Sequence, residues 1–127
     1  MSKNVLISGS FDIISLTDIH LIREAKKLTL KGGNVFVLLF ADYTNFILFR
    51  SFPTQATMLR KNNLEYFVNP DNIEIIDTSD YKEFLDKFLP SFQDVVYVHY
   101  NTNKEFIGRD IFKKYSIPIK FIKKPKI

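Results

Sequence analysis

The sequence predicts a three-layer α/β/α sandwich on a five-stranded parallel sheet, a Rossmann-like architecture. Three observations carry this. Short apolar runs alternate with stretches of helical periodicity along the whole chain. The run at 35–40, Val-Phe-Val-Leu-Leu-Phe, is continuously apolar, as in a strand buried on both faces of a parallel sheet. The 127 residues are 46% hydrophobic and 15% aromatic, enough for one packed domain over 1–127 and too rich for a disordered chain.

The elements follow in order. Val5-Leu6-Ile7 is a short strand that ends in the turn residues Ser8-Gly9-Ser10. Residues 17–30 read as a helix, with Ile19, Ile22, Ala25 and Leu28 at helical spacing and Leu21 widening the face. Lys31-Gly32-Gly33 stops it. After the strand 35–40, residues 54–67 read as a second helix, broken at Asn69-Pro70-Asp71. Residues 73–76 form a third strand. Ser79 or Asp80 can cap a third helix that runs to Leu89 and stops at Pro90. Residues 95–98 form a fourth strand, 104–115 a fourth helix and 117–122 a fifth strand. Strand–helix–strand units of this kind build parallel sheets through right-handed crossovers.

Composition narrows the function. With no Cys, disulfides and thiolate metal sites are excluded, and two His cannot build a typical zinc site. The start at 1–4 lacks a signal-peptide pattern, and no apolar run approaches the roughly 20 residues that cross a bilayer. The expectation is a soluble cytoplasmic protein without a membrane partner. Net charge is +4, concentrated at the end. Residues 104–127 carry eight Lys or Arg against two acids, and the remainder is net −2. Such an end attracts phosphate, nucleic acid or an acidic partner, or is simply a solvated face. The aromatics fall mostly at core spacing, so a nucleic-acid-binding module is the weaker reading.

In open parallel sheets ligands sit beyond the carboxyl ends of the strands, where strand order reverses. The segment after the first strand is therefore informative. Gly9-Ser10-Phe11-Asp12, then Ile13-Ile14-Ser15-Leu16-Thr17-Asp18 opening a helix, resembles the first motif of the cytidylyltransferase-like nucleotidyltransferases. Their pattern is Gly-[Ser/Thr]-Phe-Asp followed by [His/Thr]-x-Gly-His. The first tetrapeptide matches in full, and the order of elements resembles the family over nearly the whole length. The resemblance implies nucleotide contacts at Gly9, Ser10, Phe11, Asp12 and Ser15, with CTP or ATP as ligand and magnesium as cofactor if the protein is active. A Gly after the strand lets backbone approach a phosphate, and the helix N-terminus points N–H groups at it.

The second half of the motif departs from the family. Ser15 can stand in for the hydroxyl donor. Thr17 replaces the Gly, and Asp18 replaces the second His, where a carboxylate repels phosphate. Asp18 suits capping of the helix turn instead. His20 lies about 200° round the helix from Asp18 and reads as a surface residue. His99 falls just after the fourth strand, near the predicted cleft; a partly buried imidazole held by backbone is its plainer meaning. Asp12 also has a local meaning, an Asx-type bond within its own turn. Family lysines after the second strand are reduced to Arg50, and after the last strand Lys123 and the lysines beyond it could hold phosphate only as point charges. The catalytic candidates are thus Ser15, Asp18 and His99, none with a full set of partners.

These departures predict a degenerate, non-catalytic protein that binds a partner or a nucleotide. The alternative is an active nucleotidyltransferase releasing pyrophosphate. The apolar segment 46–52, Phe-Ile-Leu-Phe-Arg-Ser-Phe, lies where an exposed loop or edge is expected. It reads either as a cover for the core or as a protein-binding or dimerising surface carried by Phe46 and Phe49.

Overall fold

The computed structural model describes residues 4–92 and 94–126, so the leader reading at residues 1–3 lies outside it. It is a five-stranded, all-parallel sheet in the order β3-β2-β1-β4-β5. The strands are β1 (Asn4–Gly9), β2 (Val35–Phe40), β3 (Ile73–Ile76), β4 (Val95–Tyr100) and β5 (Ile119–Ile122). The helices are α1 (Leu16–Leu28), α2 (Asp42–Phe49), α3 (Thr57–Leu64), α4 (Tyr81–Phe88) and α5 (Arg109–Lys114). Strand order reverses between β1 and β4, whose register starts at Asn4 opposite Val95.

Side-chain alternation along each strand divides the core into two layers. Val5, Ile7, Val37, Leu39 and Val98 face Leu21, Ile22 and Ala25 of α1 and Leu64 of α3. Leu6, Leu38, Ile76 and Tyr97 face Tyr81 and Leu85 of α4 and Phe112 of α5. The predicted three-layer sandwich is therefore the observed one.

Several boundaries differ from the sequence reading. The segment 46–52 is not a loop or sheet edge. Its first four residues complete α2, which ends where Arg50 turns left-handed at φ 57°. This helix is anchored by Thr44, which donates from Oγ1 to the Thr78 carbonyl at 2.8 Å and accepts from the Thr78 N–H at 2.7 Å. The helix expected over 54–67 is confined to Thr57–Leu64, because residues 51–56 are tied down elsewhere. The fourth helix begins at Arg109 and not at 104, because Gly108 adopts φ 96°. A Cβ there would lie 2.6 Å from Leu85 Cδ1, so this close, left-handed approach requires glycine. His99 lies within β4, not after it, and β5 starts two residues later than expected.

Candidate functional site

The four residues that carry the sequence motif form a structural clamp. Gly9 ends β1, and a Cβ on it would meet the Phe11 ring at 3.1 Å. Phe11 is buried in the core at φ 47°, and its ring fills the space beside Gly9 where close approach of a phosphate to the backbone was expected. The Ser10 hydroxyl donates to the side-chain oxygen of buried Asn45, whose amide nitrogen donates to the Ser51 carbonyl at 2.9 Å. Asp12 does not make a local turn bond. Its two oxygens accept from the N–H groups of Thr54 (2.7 Å) and Gln55 (2.9 Å), more than forty residues away. Burial pushes the Asp12 carboxyl up, but these two N–H groups and the Arg60 charge outweigh it and hold the pKa below the ordinary 3.8.

Arg60 lies beneath this clamp and is fully buried. Nη1 donates to the carbonyls of Ser10 and Phe40, both at 2.7 Å, at the carboxyl ends of β1 and β2. Nε donates to the Gln55 carbonyl at 3.0 Å. Nη2 meets Asp42 Oδ1 at 2.8 Å and Thr57 Oγ1 at 3.3 Å. All five donors of the guanidinium fork are occupied, so this cation is committed to the fold. Nothing in the sequence marks it, since its neighbours Met58 (58% exposed) and Leu59 (48%) are the residues that hydropathy would bury.

The N-terminus of α1 is closed by its own side chains. Ser15 is the N-cap, and its Oγ accepts from the Asp18 N–H at 3.3 Å. Asp18 returns the bond by accepting from the Ser15 N–H at 3.1 Å. This capping box places a carboxylate at the positive end of the helix dipole. His20 is half-buried and not a surface side chain. Its Nδ1 lies 3.0 Å from the Tyr100 hydroxyl, which donates to the Thr17 carbonyl at 2.7 Å. Burial and the charges of Asp18 and Glu24 push the Tyr100 pKa up to about 12, so it remains a hydroxyl donor.

The cleft at the strand-order reversal opens on the opposite face of the sheet from α1. It measures about 300 Å³ and is lined by Ser8, Gly9, Phe40, Tyr97 and His99 from the strand ends. Leu48 and Phe49 of α2, Tyr81 of α4 and residues 103 and 105–107 complete it. Ser8 Oγ lies 2.5 Å from the Tyr97 hydroxyl at its floor. Burial raises the Tyr97 pKa to about 12 and pushes that of Tyr81 well above 10. His99 has its Nδ1 2.9 Å from the Tyr100 carbonyl, and burial, then the Lys124 charge, lower its pKa below 6.5 despite that bond. A larger depression of about 610 Å³ lies at the amino end of β2, around Asn34, Tyr66 and Asn69. It is broad, open and remote from the switch point, so the smaller cleft has the better placed chemistry.

The expected site residues are thus dispersed. Gly9, His99 and Phe49 line the cleft, whereas Ser10, Phe11, Asp12, Ser15, Asp18 and Lys123 do not. Phe46 stacks on Phe52 with centroids 4.6 Å apart, while Phe49 is 55% exposed beside Phe40. Lys123 is exposed beyond β5. The residues that sequence reasoning missed in the cleft are Tyr81, Tyr97 and Phe106, which read as ordinary core aromatics. Among the described residues no group of three His, Asp or Glu converges to hold a metal, and both Asp12 oxygens are already bonded. The described side chains therefore offer no preformed, all-protein magnesium site. No helix is long and apolar enough to cross a membrane among the described residues.

No family model matches the chain, and no curated protein matches it by sequence. Its structure is similar to the crystal structure of the lipopolysaccharide core biosynthesis protein from Thermoplasma volcanium GSS1, with a TM-score of 0.68. That match covers 100% of this chain and 99% of the other at 20% identity, which establishes a shared α/β fold.

Proposed function

We propose that this chain is a nucleotidyltransferase-like protein that does not transfer nucleotidyl groups and acts by binding. The observation that carries the reading is the Ser15–Asp18 capping box. It sets a carboxylate at the helix terminus where the resembled family uses a His to donate to phosphate. The occupied Arg60 and the structural use of Gly9 to Asp12 support the same reading. So does the lining of the cleft, which contains no Lys or Arg. Positioned cations and N–H donors carry most phosphoryl-group catalysis, so their loss removes the chemistry while the frame survives. Binding then falls to the cleft and to exposed Phe49 and Phe52.

Calorimetric titration of CTP and ATP, with and without magnesium, tests this. The expected result is no saturable binding at millimolar nucleotide. Micromolar binding, followed by pyrophosphate release with an acceptor, would instead establish the active reading.

A further inference from the structure

The cleft is lined largely by aromatic side chains that also pack on one another. Phe106 covers the His99 ring with centroids 4.3 Å apart and planes within 8°. Tyr97 sits 5.9 Å from the same imidazole. Tyr81 and Phe49 supply further rings on the other walls. The charged side chain at the rim, Glu105, is 88% exposed and paired with Arg109 at 2.7 Å, so solvent and its partner screen it from the cleft. A backbone carbonyl can only accept, so the 2.9 Å contact to Tyr100 puts the proton of neutral His99 on Nδ1. Its Nε2 is then an unprotonated acceptor. The lowered pKa of His99 keeps that state at neutral pH.

We propose that this cleft binds a small, uncharged, planar heteroaromatic molecule, without phosphate, whose ring N–H donates to His99 Nε2. The class follows from the walls. Aromatic walls reward a flat aromatic guest, through ring edges as well as faces, beyond simple area burial. No Lys or Arg lines the cleft, and Lys124, the cation whose charge reaches His99, lies over the Tyr100 ring. A guest lacking a donor would strand Nε2 without its water, a cost that a ring N–H removes. The volume of about 300 Å³ is at the small end of ligand cavities. The proposal rests on the non-catalytic, binding reading of the same site.

The test is an NMR titration of the full chain with indole and with benzofuran, which has the same shape but no N–H. Both should shift the signals of Gly9, Phe106 and Ile107, and indole should also shift the His99 ring nitrogens. Indole should bind about fivefold or more tightly, the worth of one neutral hydrogen bond. In His99→Phe the two probes should bind equally. Ile107→Trp, at an exposed rim position, should block both while leaving thermal unfolding unchanged. Absence of saturable shifts for either probe in the wild type overturns the proposal. Equal binding of the two, or tighter binding of tetramethylammonium, overturns it too. Parallel ATP and CTP titrations, with pyrophosphate release followed in the presence of an acceptor, separate the two readings. Nucleotide turnover with indole binding intact removes the non-catalytic reading alone, whereas no binding of any probe removes the aromatic-guest proposal alone.

Discussion

Replacing Arg60 with Met should destabilise the protein more than any other single change outside its apolar core. The side chain is fully buried, and three of its acceptors are the backbone carbonyls of Ser10, Phe40 and Gln55. Met fills similar volume but leaves those carbonyls without donors, at about 1–3 kcal/mol for each one that water cannot reach. Asp42 is 44% exposed and can rehydrate, so its lost ion pair adds little. Some relaxation at the rim recovers part of the cost, and the net loss should be about 3–5 kcal/mol. Urea denaturation followed by far-UV circular dichroism measures it, with the slope checked for two-state behaviour. Arg60→Lys, which keeps the charge but not the planar fork, should fall between wild type and Met. A loss below about 1 kcal/mol for Met would refute the reasoning, because it would mean that the carbonyls are not held by the guanidinium.

Three further outcomes follow from the clamp and the helix cap. Asp12→Asn should cost about 1 kcal/mol at neutral pH, since the amide keeps only one of the two acceptor oxygens. The folded pKa of Asp12 is depressed, so its contribution is present above about 3.8 and lost as pH falls through the lower folded value. Unfolding midpoints of wild type and Asp12→Asn should therefore converge on acidification, and a constant gap would refute the assignment. Gly9→Ala should cost about 1–2 kcal/mol by overpacking against Phe11, and the same change in a Phe11→Leu background should cost less, as a double-mutant cycle reads. Ser15→Ala should lose about 0.5–2 kcal/mol from the capping box without raising affinity for ATP, measured by denaturation and calorimetry together.

The cap at Ser15–Asp18 is legible in the sequence because it is local. Its bonds span three residues, and the residue types that make them are specific. The role of Asp12 is not legible there, because its partners Thr54 and Gln55 are brought to it only when α3 docks against β1. Phe46 and Phe49 show the same limit on a smaller scale. Both are apolar, three apart on one short helix, yet one stacks on Phe52 and the other opens onto the cleft.

By itself the sequence determined the layers, the strand–helix alternation and the identity of the motif segment. Those depend on periodicity and turn chemistry, which act between near neighbours. Tertiary structure alone decided what the motif does. Burial of Arg60 beneath exposed Met58 and Leu59 inverts the hydropathy order of α3. A charged side chain becomes core only when five acceptors converge from separate segments, and no local pattern records that convergence. The aromatic cleft is decided in the same way, since Ser8, Tyr97, His99 and Phe106 meet only because β4 lies beside β1.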